Sequence, residues 1–177
     1  LKYIGLTDSL TGVYNRRYID RRLLEEIARA RRQAYPISFM YIDVDHFKRV
    51  NDTVGHGGGD EVLREVASRI KKELRASDAL ARFGGEEFVV LLIDAPLDSA
   101  AFVAERIRAN VAATMIALTP ELQVSVTVSI GVAALHPGEA EGDPVAIARA
   151  WVAAADLRLY AAKEAGRNRV VSSAPAA

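Results

Sequence analysis

Two short apolar runs, residues 79–83 and 88–93, are separated by little more than Gly84-Gly85-Glu86-Glu87. A glycine pair between two such runs reads as a hairpin turn, so the strands pair antiparallel. This feature argues against a doubly wound parallel sheet, which the alternation of strands and helices elsewhere would permit. What remains is an α/β chain of the α+β sandwich type: a central mixed, mainly antiparallel sheet flanked by helices.

The periodicity supplies the other elements. Ile19, Leu23, Leu24, Ile27 and Ala28 recur at helical spacing over residues 17–32. Residues 37–44, short, β-branched and aromatic after Pro36, read as a buried strand ending at Asp43. Residues 45–59 read as a polar, glycine-rich passage, and 60–75 as a helix with Val62, Leu63, Val66, Ile70 and Leu74 on one face. A helix over 98–113, one long strand over 122–134, a helix over 144–165 stopped by Gly166 and a short strand over 169–171 complete the domain. Residues 172–177 read as a disordered tail of small residues.

Some functions are disfavoured by composition. With 23 basic and 23 acidic residues the formal charge is zero, whereas a nucleic-acid partner normally demands a basic excess. The absence of cysteine excludes disulfides, thiolate metal sites and a cysteine nucleophile. No apolar run approaches the roughly 20 residues that span a bilayer. The expected place is cytoplasmic, with no membrane contact by this domain and a membrane anchor left open for a longer protein. The arginine-rich first helix, with acids interspersed, reads as a solvated face. His46, His56 and His136 form no metal-like cluster.

The carboxylates are more informative. Asp43 ends an apolar strand, Asp45 follows two residues on, and Glu86 and Glu87 sit at the hairpin tip. If the hairpin lies beside that strand, these acids converge at one sheet edge and suit Mg²⁺ or Mn²⁺, which take carboxylates plus substrate phosphate. On residue types alone, ordinary acidic turns on a solvated edge remain an equal reading.

The surrounding blocks break that tie. Gly84-Gly85-Glu86-Glu87-Phe88 is preceded by Asp8-Ser9-Leu10-Thr11-Gly12, Asn15-Arg16-Arg17, Asp43-Val44-Asp45-His46-Phe47-Lys48, Asn51-Asp52, Gly55-His56 and Gly59-Asp60. It is followed by Ser129-Ile130-Gly131, Ala155-Asp156, Leu159-Tyr160, Ala162-Lys163 and Gly166-Arg167-Asn168. In this order and spacing the chain resembles the GGDEF family of diguanylate cyclases over residues 6–171. The resemblance implies a palm-like nucleotidyl cyclase fold with a catalytic β-hairpin in residues 7–171. It also implies that residues 1–6 end a linker helix from an N-terminal sensory or receiver domain.

By the same resemblance, two GTP molecules are condensed into cyclic di-GMP across a homodimer. Two divalent cations per active site are held by Asp43, Glu86 and the Val44 carbonyl, and Glu87 is also required. Lys48, Lys163, Arg167 and the amides near His46 and Phe47 take the triphosphate. Asn51 and Asp60 read guanine, although Asp60 after three glycines also reads as a helix N-cap. With glycine at both 57 and 58, that loop is expected to be mobile. Arg75-Ala76-Ser77-Asp78 matches the family's product-inhibition signature, joined by Arg106. Alternative readings are a catalytically silent module binding GTP or cyclic di-GMP, and a cyclase of other nucleotide choice.

Overall fold

The computed structural model describes residues 5–174. Residues 1–4 of the expected linker end and 175–177 of the expected tail lie outside them. In chain order the elements are α1 (Arg16–Gln33), β1 (Ile37–Val44), α2 (Phe47–Lys71), β2 (Ala79–Arg82), β3 (Glu87–Leu92), α3 (Leu97–Ala113), β4 (Ile116–Ala117), β5 (Gln123–Val124), β6 (Val128–Leu135), α4 (Pro144–Glu164) and β7 (Val170–Val171). A short 3₁₀ turn, Pro137–Glu139, precedes α4.

The sheet runs β2-β3-β1-β6-β7. Every pairing is antiparallel except β6 with β7, which is parallel, so the expected mixed sheet and its hairpin are both present. β1 lies at the centre with all eight residues buried. Its even-numbered side chains Met40, Ile42 and Val44 pack with Val62, Val66 and Ile70 of α2 and Ile107 of α3. Its odd-numbered Phe39 and Tyr41 pack with Ile19, Leu23 and Ile27 of α1 and Trp151 and Leu159 of α4. Alternation along one strand thus builds two cores, one on each face.

Helix ends are set locally. Asn15 caps α1 by accepting from the Tyr18 amide at 3.0 Å and donating to the Gly5 carbonyl at 2.9 Å. Asp143 caps α4, with Pro144 at its first position. Buried Arg69 ties α2 to the end of α3, donating to the Val111 carbonyl at 2.9 Å and the Thr114 carbonyl at 2.8 Å.

Three expectations are corrected. The passage 45–59 is helical from Phe47 onward: α2 begins there and bends at Gly55, whose φ of 76° only glycine adopts freely. The glycines at 57 and 58 are therefore not a loose loop, and a Cβ at Gly58 would lie 2.6 Å from a Val54 methyl. The long strand over 122–134 is two pieces, because β5 turns away to pair with β4 in a separate two-stranded sheet that sequence periodicity did not reveal. Nor is α1 wholly a solvated face. Arg22 bonds the fully buried Glu26 and reaches the Ser77 carbonyl, anchoring α1 to the turn after α2.

At Gly131 the backbone of α4 rests on β6. A Cβ there would lie 2.9 Å from the Arg158 carbonyl carbon and closer still to the Ala155 oxygen and the Leu159 nitrogen. Backbone cannot rotate away as a side chain can. Gly131→Ala is expected to lower stability by about 3 kcal/mol or more in urea denaturation. Gly138→Ala, in open space, is expected to change it by less than about 0.5 kcal/mol.

Candidate active site

The register of β1 against β3 puts Asp43 opposite Glu87, and the Val44 amide donates to the Glu86 carbonyl at 3.2 Å. The hairpin acids and the end of the central strand therefore do meet at one edge. Asp43 is buried, and its Oδ2 accepts from Lys163 Nζ at 2.7 Å. The Asp43 carboxyl is pushed up to about 6: burial raises it most, Lys163 offsets part of the rise, and the Glu86 and Glu87 charges add to it.

Asp45 does not join this group as the sequence suggested. Its carboxylate accepts from the Thr127 hydroxyl at 2.7 Å, the Ser129 hydroxyl at 2.7 Å and the Asn168 amide at 3.0 Å. Three donors satisfy it as a clamp between β1, the start of β6 and the turn after α4. Among the described residues, no three His, Cys, Asp or Glu side chains already form a metal cage. The donor set nevertheless fits a hard divalent cation, since Asp43, Glu86 and Glu87 crowd negative charge that one ammonium only partly offsets.

Glu87 is shaped by its neighbours. A Cβ on Gly84 would stand 2.6 Å from Glu87 Oε1, so the bare glycine leaves room for that carboxylate. The Tyr41 hydroxyl donates to the same oxygen at 3.4 Å. Burial pushes the Tyr41 phenol up, and the Glu87 and Asp156 charges push it further, so it stays protonated. Arg82 holds the turn itself, donating to the Gly85 carbonyl at 2.8 and 3.0 Å and to Asp8 at 3.3 Å. Asp8 also accepts from the Thr11 hydroxyl at 2.7 Å. Burial alone would raise its carboxyl, but Thr11 and Arg82 hold it below the usual range. Sequence reasoning singled out neither Tyr41 nor Arg82. Arg82 lies two residues before the glycine pair, the one hint available.

The remaining candidates lie along α2 and in the turn after α4. His46 takes a left-handed φ of 55° and turns the chain from β1 into α2, whose first-turn amides at Phe47 and Lys48 lack intrahelical acceptors. Lys48 is exposed, and among the described residues it makes no ion pair. Arg167 follows α4 with φ 64°, its amide bonding the Ala162 carbonyl at 3.0 Å. Asn51 packs onto Gly59, where any Cβ would collide with its Oδ1. Asp60 is exposed and lies within α2, not at a helix start, so the N-cap reading is withdrawn.

Arg75, Asp78 and Arg106 line one cavity of about 240 Å³ with Glu73. Asp78 is nearly buried and holds Arg75 at 3.1 Å, while Arg106 reaches Glu73 at 3.2 Å. The helix-end charge pair and a shared cavity are thus both present.

Comparison with known proteins gives the family and the fold. The family model described as "Diguanylate cyclase, GGDEF domain" matches residues 5–169. Response regulator PleD of Caulobacter vibrioides is 44% identical over 97% of this chain and 37% of its own length. Diguanylate cyclase DgcP of Pseudomonas aeruginosa is 43% identical over 94% of this chain and 24% of its own. The chain thus spans well under half the length of these two relatives. Among solved structures, diguanylate cyclase SiaD of Pseudomonas aeruginosa, in complex with its activator SiaC, superposes with a TM-score of 0.86 at 40% identity, covering 96% of this chain and 62% of that one. The coiled coil and GGDEF domain of DgcB from Caulobacter crescentus, in complex with c-di-GMP, gives 0.86 at 33% identity, covering 97% and 87%.

A carboxyl raised in the fold makes stability depend on pH. Below about pH 4 Asp43 is protonated in both folded and unfolded chains, and above about pH 6 the folded chain must hold it charged. Metal-free protein is therefore expected to lose on the order of 2 kcal/mol from this group as pH rises from about 4 to about 6, then to level off. Asp43→Asn should flatten that slope and exceed the parent in stability at pH 7.5, as read by urea denaturation in EDTA.

Proposed function

The chain belongs to the diguanylate cyclase GGDEF-domain family, and we propose that it condenses two GTP into cyclic di-GMP with release of two pyrophosphates. The observation that carries this reading is a buried acid, Asp43, facing the hairpin acid Glu87 with Lys163 as counter-ion. In each of two steps a ribose 3′-oxygen bonds to the α-phosphorus of the other GTP. The bond from that phosphorus to the bridging oxygen breaks, and the hydroxyl proton leaves.

Asp43, Glu86 and the Val44 carbonyl would hold two Mg²⁺ or Mn²⁺ ions. Bound cations lower the pKa of the attacking hydroxyl and neutralise charge on the phosphate oxygens. Glu87, with Glu86 as the other candidate, would receive the proton. Lys163, already at the acid edge, is offered a second anionic partner by the triphosphate, which Lys48, Arg167 and the first amides of α2 also bind. Asp60 accepts from the N1–H and N2–H edge of guanine and Asn51 pairs with what remains. Adenine, lacking that donor pair, leaves the carboxylate unpaired.

Because the product has two equivalent linkages, two copies must face each other, each presenting one GTP. The cavity of Arg75, Asp78 and Arg106 suits a guanine edge and phosphate, the arginine forks donating, and we assign product inhibition to it. In a longer protein a sensory or receiver domain upstream would control the pairing. No helix among the described residues is long and apolar enough to cross a membrane.

Product formation from GTP and Mg²⁺ is the direct test, and its rate should rise more steeply than linearly with protein concentration. Glu87→Ala should lower turnover by about a hundredfold or more. Arg75→Ala should keep turnover while raising the cyclic di-GMP concentration needed for half inhibition by about tenfold. GTP binding without product, even in a forced dimer, would favour a silent binding module. Mg²⁺ should raise the melting temperature more at pH 7.5 than at pH 5, and Asp43→Asn should erase the difference.

A further inference from the structure

Tyr41 lies on β1 two residues before Asp43, and their side chains project from the same face of the sheet. In the β1–β3 register it faces Val89, so Glu87 is its diagonal neighbour, within reach of an aromatic side chain. Its ring is buried and fixed by two perpendicular contacts, to Phe39 at 6.3 Å and to Phe83 at 5.5 Å. Phe83 is in turn covered by the Arg16 guanidinium, 4.0 Å from its ring centre. A phenol held between two packed rings points in a defined direction, and its hydroxyl meets Glu87 Oε1 at 3.4 Å. Gly84, lacking a Cβ, leaves room beside that oxygen.

We propose that Tyr41 is a positioning residue for Glu87. Its hydroxyl engages Oε1 and so fixes the plane in which Oε2 is presented toward the reacting 3′-hydroxyl. The inference rests on the cyclase reading. Among the described residues, no hydrogen bond or ring contact joins Tyr41 to Lys48, Asn51, Asp60, Lys163 or Arg167, so its contribution falls on the chemical step and not on GTP affinity. The bond also couples the catalytic hairpin to the α1 side of the sheet, through Phe83 and Arg16.

The test uses the parent, Tyr41→Phe, Glu87→Gln and the double variant. Tyr41→Phe keeps the ring and its packing and removes only the donor. In urea denaturation, the two substitutions together should shift stability by less than the sum of their separate shifts. In the GTP assay with Mg²⁺, Tyr41→Phe should lower kcat by about tenfold and leave KM within about twofold. Additive denaturation shifts, or a kcat equal to the parent's, would overturn the positioning role. A drop in kcat matched by a large rise in KM would overturn it too, by assigning Tyr41 to substrate binding. A parent that binds GTP but yields no product would sink the cyclase reading instead, and the denaturation cycle would still decide whether the hydroxyl–carboxylate bond exists.

Discussion

Everything that α4 contributes depends on how closely it can approach the sheet, and Gly131 sets that distance. With no side chain between them, the α4 backbone rests on β6 at Ala155, Arg158 and Leu159. This brings Lys163 to Asp43 and the following turn to Asp45. Trp151, donating its indole N–H to the Ala133 carbonyl at 2.8 Å, fixes the other end of the contact. A helix held one methyl group further out would loosen the charge pairing at the acid edge, because a Coulomb interaction in a partly buried site weakens as water enters.

Two acids at the end of β1, Asp43 within it and Asp45 just beyond, have opposite fates, and the difference is one of partners. Asp45 accepts from two hydroxyls and an amide, so its charge is dispersed among fixed donors and it serves as a joint. Asp43 has a single ammonium against burial and two neighbouring glutamates. Charge left so poorly compensated is where a hard cation gains most, and poorly compensated charge is a mark of functional sites. Sequence alone, which shows Asp-Val-Asp, cannot rank the pair. The ranking comes from Thr127, Ser129 and Asn168, residues more than eighty positions away.

Much of the architecture was legible for physical reasons that are easy to name. A buried central strand must be mainly apolar, and residues 37–44 are, apart from Ser38 and Asp43; a glycine pair between strands must turn, and Gly84-Gly85 does. The start of α2 was missed because glycines disfavour helix and local composition outweighed the tertiary contacts that hold residues 47–59 helical. β4 and β5 escaped notice because two-residue strands carry no period. At the site, the family blocks marked Asp43, Glu86, Glu87 and Lys163. Arg82 and Tyr41 act through a turn carbonyl and a diagonal strand contact, which appear only once register is known.

The pairing of Asp43 with Lys163 joins residues 120 positions apart, and Asp45 meets Asn168 across 123. A ribosome delivers these acids well before their partners. Until α4 and β7 have emerged, the nascent chain holds a strand that ends in two carboxylates with no counter-ion and a β6 edge without its parallel neighbour. Tertiary assembly of the acid edge thus waits for residues 163–168. A chain cut short before Lys163 would be an apolar sheet with an exposed face and uncompensated charge, better suited to degradation than to nucleotide chemistry.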